Sequence, residues 1–563
     1  MGVPAFFRKL SQKYPHIIKN NPNKQIRALY IDANCLFHPQ CFKVLDIYKN
    51  VKNQKQLFKL MAKRITQYID YMIRLTNPSD LVYIAVDGVA PLAKINQQRM
   101  RRFGYANNYR HDIYKKYNIK FNDSWSNIVI TPGTEFMFKL HNYIKQYYIR
   151  KVAQNKNGSK KYKILYNSYL IAGEGEHKIL QHIKKYMSRR NNDALLIYGL
   201  DADLIFLAMA SQFNNIYLLR ESDQFGQHMS NDDGSVEEEL CYIDMDIAKR
   251  SINDDFNITY TQFLNTQGSH SMFGGEDNKT KQPHNINFTN DYIFICYFLG
   301  NDFLPHLPSV DIKVYGMETI LNAYMDIYQT KGTNIINIID GKVNIDNDFL
   351  LKFITLIASQ EENYFRSSLP NHLRKQTRRR CFENEKYKQE IWKIENLKDV
   401  KIVDKIKLGS GNTKEWKNRY YSHYFNTDEY QHETINDICQ NYLEGLLWVA
   451  RYYFEECPNW RWQYRYTHAP FLSDMMLYLK NKNIMTDFDT KYEKPVDIYT
   501  QLVSVIPAKY SYILPQSHRH LNCSYESPII DMFPSEYKLD MIYKTQLYKC
   551  IPIIPSIELD RII

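Results

Sequence analysis

Three apolar runs in the first half of the chain each end on a carboxylate, and this recurrence constrains the fold more than any other feature. Residues 28–31 run into Asp32, residues 81–86 into Asp87, and residues 194–200 into Asp201-Ala202-Asp203. The last run reads as a buried strand of a parallel sheet, and an apolar helix at 204–209 follows at once. Residues i and i+2 of extended backbone face the same side, so Asp201 and Asp203 would stand together. Like charges side by side repel and are costly to bury unpaired. Taken alone, the pair also fits a bland reading, with Asp203 capping the helix and Asp201 solvated. A further strand, 162–171, leads to Gly173-Glu174-Gly175-Glu176, and an apolar helix at 291–299 ends in the turn Gly300-Asn301-Asp302. Helical patterns at 54–75, 91–103, 136–150 and 177–187 alternate with the strands, which predicts an α/β domain with a mainly parallel sheet. Open sheets of this kind bind ligands beyond the carboxyl ends of their strands. Each acid by itself is explained as a cap or turn residue. Gathered at one rim they would repel without divalent cations, and an all-oxygen donor set suits Mg²⁺ or Mn²⁺. Two such ions clamp the attacking and leaving oxygens of an in-line displacement, so the predicted reaction is phosphodiester hydrolysis.

The helix expected to begin at Pro91 places Lys94, Gln98, Arg101 and Arg102 on one face, at i, i+4, i+7 and i+8. That face starts beside the acid rim. Arginine forks and a lysine point charge suit a terminal phosphate, whereas the same face elsewhere would read as solvated. A formal net charge of +12 agrees with a polyanionic partner. The nine cysteines include no CxxC pair, which argues against a zinc site. No signal peptide or membrane-spanning run is found, so the expectation is a soluble, intracellular protein, cytoplasmic rather than nuclear, without a membrane partner and monomeric.

Farther along, residues 222–239 read as an acidic surface loop and 265–287 as a mobile Gly-, Asn- and Lys-rich insertion. The basic stretch 374–380 reads as a solvated linker, with a backbone-tracking or nuclear-signal role as alternatives. Arg99 is open between a surface position and a backbone contact. Residues 387–430 are charged and irregular, with Gly409-Ser410-Gly411 as a hinge. A long amphipathic helix at 433–456 precedes an aromatic segment at 458–471, and short elements follow from Asn481.

Extended motifs then bring in a resemblance. Met1-Gly2-Val3-Pro4, Ile31-Asp32-Ala33-Asn34 with His38, Val86-Asp87-Gly88-Val89-Ala90-Pro91 through Arg102-Phe103, Ile130-Thr131-Pro132-Gly133-Thr134, Gly173-Glu174-Gly175-Glu176-His177-Lys178, Tyr198-Gly199-Leu200-Asp201-Ala202-Asp203 and Gly300-Asn301-Asp302-Phe303-Leu304-Pro305 appear in order. Together they resemble the 5′→3′ exoribonuclease (Xrn) family. The segment from Trp460 to Asp474 resembles the family's second region more loosely. The resemblance implies a PIN-like, flap-nuclease-like α/β core with a mostly helical second region. It implies a nuclease domain at 1–350 with an insertion at about 222–287, a basic and charged linker at 351–430, and a second region at 431–563 that completes the pocket.

By the same resemblance, Asp32, Asp87, Glu174, Glu176, Asp201, Asp203 and Asp302 form the catalytic, metal-binding cluster, expected to take two Mg²⁺ ions. Lys94, Gln98, Arg101 and Arg102 form a 5′-monophosphate pocket too small for a cap or triphosphate. His38 stacks on the terminal base opposite a tryptophan, for which Trp448, Trp460 and Trp462 are candidates. Asn34 and Pro91 also match pocket residues. The implied substrate is single-stranded RNA with a 5′-monophosphate, degraded processively to nucleoside 5′-monophosphates, with decapping machinery as a partner. The family's C-terminal series of small β-rich domains has no counterpart here, which suggests a compact member from a large DNA virus or a protist. Two rivals predict other signals. A flap-type DNA nuclease would carry a helix–hairpin–helix where residues 308–317 show none, and a non-catalytic RNA-binding scaffold would have lost carboxylates that are all present.

Overall fold

The computed structural model describes residues 6–104, 109–121, 124–154, 162–187, 193–221, 239–268, 287–427 and 431–562. Met1 to Pro4, residues 222–238 of the stretch read as an acidic loop and residues 269–286 of the stretch 265–287 read as an insertion lie outside the described residues, whereas residues 265–268 end the helix Met245–Gly268 and are not part of an insertion.

Seven strands form the central sheet: β1 (Ile18–Lys19), β2 (Gln25–Asp32), β3 (Leu81–Ala85), β4 (Lys163–Asn167), β5 (Asp193–Tyr198), β6 (Ile216–Glu221) and β7 (Leu240–Asp244). Their order is β1-β7-β6-β5-β2-β3-β4. The five from β6 to β4 run parallel, and β7 is antiparallel to both β6 and β1. In register, Asp32 pairs with Ala85, Ala85 with Asn167, and Ile31 with Tyr198. The carboxyl ends of four neighbouring strands therefore finish at one level. The chain leaves β2 toward β3 on one side and returns to β5 on the other, which opens a crevice at that edge.

Alternation along β2 sends Leu29 and Ile31 into one core and Ala28 and Tyr30 into the other. The first core packs against the helices Ala33–Ile47, Gln54–Thr76 and Glu135–Gln154. The second takes in the helices Gly175–Tyr186 and Asp203–Ala210, then continues through the helical second half as far as Ile542. That core runs across positions 350 and 430 without a break, so sheet and helical region share one interior.

Two expected irregular stretches prove ordered. Leu369–Thr377 is a helix, with Arg374 bonded to its own helix at Asn371. The expected hinge at Gly409-Ser410-Gly411 is pinned. The Arg366 guanidinium donates to the carbonyls of Gly409 and Gly411 at 2.9 Å each, and Arg419 donates to that of Ser410 at 2.7 Å. The tract's glycines satisfy positive φ, +77° and +81°, rather than conferring mobility. Among the described residues no helix is long and apolar enough to cross a membrane.

Candidate active site

The strand ends deliver their carboxylates to one cavity of about 2310 Å³, lined by Asp32, Asp87, Glu174, Glu176 and Asp201 together with Lys94, Gln98, Arg101 and Arg102. Asp203 and Asp302 stand behind this wall. Asp302 is tied to it through Lys94, whose ammonium meets Glu174 at 2.5 Å and Asp302 at 2.7 Å. Asp203 is coupled electrostatically to Asp302, Lys94 and Asp201.

The bland reading of these acids as helix caps fails. Asp32 and Glu174 occupy N-cap positions and Asp203 the first helical position, yet none caps its helix through its side chain. Instead Asp32 Oδ1, Glu176 Oε2 and Asp203 Oδ1 are buried with no hydrogen-bond partner among the described residues. Such orphaned oxygens are rare and costly inside a protein. Burial, with Asp87 next, pushes the Asp32 carboxyl well above its ordinary range. Burial and then Asp302 push Asp203 up to about 7. Glu176 is raised by burial and by its acidic neighbours, against the pull of Lys94. Lys94 is held well above the usual lysine range: burial opposes its charge, but Asp302 and Glu174 outweigh it. The same ammonium, set against the cost of burial, keeps Asp302 below the ordinary carboxylate range.

Local backbone makes this crowding possible. The Gly175 N–H donates to Asp87 Oδ1 at 2.6 Å, and a Cβ at Gly175 would lie 2.6 Å from Asp32 Oδ1. Only glycine lets the loop after β4 come this close. Asn34 Oδ1 accepts from the Asp87 N–H at 3.2 Å, and the Cys35 thiol donates to Asp32 Oδ2 at 2.9 Å. Lys178 Nζ bridges the carbonyls of Val86 and Ser168, at 2.8 and 3.1 Å, and so fixes the loops after β3 and β4 together.

The basic helix is Leu92–Gly104, with Pro91 buried at its entry and outside the cavity lining. Its apolar face, Leu92, Ile95 and Phe103, packs on segments between Val496 and Ile557, which turns the polar face to the cavity. Arg101 is exposed there. Arg102 donates to Thr131 Oγ1 at 2.7 Å and keeps Nη1 buried without a partner, and burial, then Arg101, lowers its pKa to about 9. Arg99, open between surface and backbone contact in the sequence, is buried. It donates to the carbonyls of Ser504 and Met532 and stacks over Phe103 and Phe533, so it is an anchor for the C-terminal segment.

His38 lines the cavity, and burial followed by Arg101 and Arg102 lowers its pKa to about 4, leaving a neutral ring. None of the three candidate tryptophans is among the residues that line the cavity. Trp448 is sandwiched between Tyr452 and Trp462, at 4.9 and 5.2 Å, and donates to the Asn459 carbonyl. Trp462 is buried beside Gly445, and Trp460 packs near Gly173. The tail instead supplies tyrosines: Tyr510, Tyr512 and Tyr548 line the cavity. Tyrosine is so frequent in this chain, 46 residues, that no sequence signal singled them out. Tyr452 was equally hidden. It sits on the helix His432–Phe454, donates to Glu174 Oε2 at 2.9 Å, and stacks on His177.

The donors present are those a hard divalent cation takes: carboxylates only, three with an orphaned buried oxygen. As they stand, among the described residues, no three donors close around one point, because the Lys94 ammonium is wedged between Glu174 and Asp302.

A buried acid cluster at the carboxyl edge of a parallel sheet, walled by a basic helix, defines a nuclease of the phosphodiester-cleaving class. Comparison with known families narrows this. Residues 1–222 match the model described as XRN 5′-3′ exonuclease N-terminus, and residues 285–399 and 380–563 match the one described as Xrn1 helical domain. The chain belongs to the Xrn 5′→3′ exoribonuclease family. Over its full length it is 27% identical to 5′-3′ exoribonuclease 2 of Gallus gallus, 28% identical to 5′-3′ exoribonuclease 1 of Schizosaccharomyces pombe and 27% identical to 5′-3′ exoribonuclease 1 of Homo sapiens. It spans 69%, 48% and 34% of those proteins, respectively.

Proposed function

We propose that this chain removes nucleotides one at a time from the 5′ end of single-stranded RNA that carries a 5′-monophosphate, processively and with Mg²⁺ or Mn²⁺. The observation that carries the reading is the juxtaposition, within one cavity, of carboxylates with orphaned oxygens and the unpaired guanidinium nitrogen of Arg102. Arg101, Arg102 and Gln98 grip the terminal phosphate, and Lys94 ties that pocket to the acids. Asp32, Asp87, Glu174, Glu176, Asp201, Asp203 and Asp302 would hold the cations, which supply Lewis-acid stabilisation of charge developing on the phosphoryl oxygens. The neutral His38 ring stacks on the first base, with Tyr548 as the aromatic partner in place of a tryptophan. Stacking is tolerant of sequence, as stepwise degradation requires. Tyr452 and Lys178 hold Glu174 and the strand ends in place.

The test is decay of single-stranded RNA bearing a 5′-phosphate, a 5′-hydroxyl or a cap, with Mg²⁺. The expected outcome is release of nucleoside 5′-monophosphates from the phosphorylated strand alone. Equal decay of all three overturns the reading. Arg101→Ala should erase the preference, by about 10-fold or more for one charge-assisted contact. Decapping partners and a cytoplasmic location are proposed on the same basis, through the substrate such a nuclease needs.

A further inference from the structure

The cavity is larger than one nucleotide requires, and it continues past the phosphate pocket. Its two long walls are the helices Ala33–Ile47 and Leu92–Gly104, which both start at acid-bearing strand ends and lead outward. On the first wall, Asn34, His38 and Phe42 line the cavity at successive turns, about 6 Å apart. Beside Phe42, the outer arm is flanked by Lys55, Lys59 and Lys63.

These lysines recur at i, i+4 and i+8 on the helix Gln54–Thr76, so they form one stripe. That helix returns antiparallel to the first wall, with Arg64 donating to Gln40 Oε1 at 2.8 Å. Lys63 thus sits near the level of Phe42, and Lys59 and Lys55 step outward by about 6 Å each. All three are exposed. Other cations of the arm are neutralised, Arg110 by Glu395 and Lys139 by Glu135, whereas Lys55, Lys59 and Lys63 have no ion-pair partner among the described residues. The same arm is lined by Phe42, 45% exposed, and Trp125, ring to ring at 6.0 Å. Unpaired cations and aromatic rings lining one groove are the chemistry of a nucleotide surface.

Position decides which nucleotide. In the proposed function, on which this inference rests, the scissile bond lies at the acids and the terminal phosphate at Arg101 and Arg102. On that placement the first nucleotide spans from the arginines to the acids and the rest of the strand continues past the acids, so the lysine arm, farther out than Arg101 and Arg102, falls on the opposite side of the terminal phosphate. We propose that the arm lined by Lys55, Lys59 and Lys63 is the exit route for the released nucleoside 5′-monophosphate. The freed phosphate passes from the arginines to one ammonium after another, so the product leaves while the shortened strand stays bound.

The experiment compares the wild-type chain with Lys55→Ala/Lys59→Ala/Lys63→Ala and with Lys59→Glu alone on a long 5′-phosphorylated RNA. Single-turnover cleavage of the first phosphodiester bond, read after a denaturing quench, should be unchanged, and the steady-state rate should fall about tenfold, the lower end of what a charged cleft contributes to ion traffic. Equal steady-state rates overturn the proposal. So does weaker RNA binding with a log–log salt slope shallower by about 2, which would make the lysines a track for the strand at roughly 0.7 per phosphate. Lysine-dependent degradation of 5′-triphosphorylated RNA overturns it as well, in favour of a site for extended 5′ ends. If the wild type releases no mononucleotide at all, the proposed function itself fails, a result separate from these three.

Discussion

The molecule buries two kinds of acid cluster, and the difference between them sets the candidate active site apart. In the helical region Asp291 accepts from Tyr324, from Asn334 at 2.8 Å and from the Ile335 and Ile336 N–H groups at 3.1 and 3.0 Å. Nearby in kind, Glu361 accepts from the Leu472 N–H and the Ser473 hydroxyl, and Asp474 takes Lys417 and Tyr421 at 2.7 Å each. Both oxygens of all three carboxylates are satisfied. At the sheet edge, Asp32, Glu176 and Asp203 are equally buried and each keeps an oxygen without a partner. Burial alone therefore does not distinguish function from scaffold; the gathering of several orphaned carboxylates at one sheet edge does, since Glu221, whose Oε2 is also orphaned, stands apart from them and holds its other oxygen against Tyr68 and Tyr198.

The sharpest way to break this contrast is Asp203→Asn. RNA hydrolysis should fall about 10³-fold, the scale for removing a group that manages developing charge, while the melting temperature holds or rises because repulsion is relieved. A large loss of stability would return Asp203 to the scaffold. The mirror experiment is Asp291→Ala, which strands several buried donors. Stability should drop by about 3 kcal/mol in denaturant titration, with the initial rate per folded molecule unchanged.

Aromatic rings offer a smaller version of the same test. Tyr548→Ala should weaken binding of single-stranded RNA by about 1–2 kcal/mol with little change in melting temperature, whereas Trp448→Ala should chiefly unfold the protein. A Trp448 variant that stays folded but loses RNA would reverse the assignment.

The smallest expected effect is on the pH dependence of stability. Burial raises the Asp291 carboxyl to about 7, and burial with Asp302 does the same to Asp203. A raised acid contributes stability fully below its unfolded pKa of about 3.9 and loses it as pH climbs through the folded value. Both groups thus favour the fold at pH 5 over pH 8. Added Mg²⁺ should recover stability at pH 8 through Asp203, and Asp203→Asn should blunt that recovery. Asp291→Asn should flatten the pH profile without altering the response to Mg²⁺. If both variants respond alike, the two clusters do not differ as described.

Much of the candidate site's placement is legible in the sequence because its signals are local. An apolar run ending in an acid is a short pattern, and the pattern places the side chain at a strand's carboxyl end whatever surrounds it. Asp32, Asp87, Glu174, Glu176 and Asp201 were read in this way, as was the basic face of Lys94, Gln98, Arg101 and Arg102. Family motifs supplied substrate and direction. The contributions of the helical region were not legible. Tyr452 reaches Glu174 across 278 positions, and Arg99 meets Ser504 across 405. No spacing encodes such contacts, and a tryptophan is a poor guide when its size equally suits a core.

By itself, then, the sequence determined the parallel α/β core, the rim to which its acids are sent and the face of the helix that flanks them, since hydrophobic periodicity and strand polarity act within a few residues. Only the tertiary structure decided that Asp203 and Asp302 stand behind Lys94, that Tyr510, Tyr512 and Tyr548 rather than Trp448, Trp460 or Trp462 border the cavity, and that Lys55, Lys59 and Lys63 extend it. Those outcomes depend on how distant segments pack against one another, which depends on the shape of the whole interior.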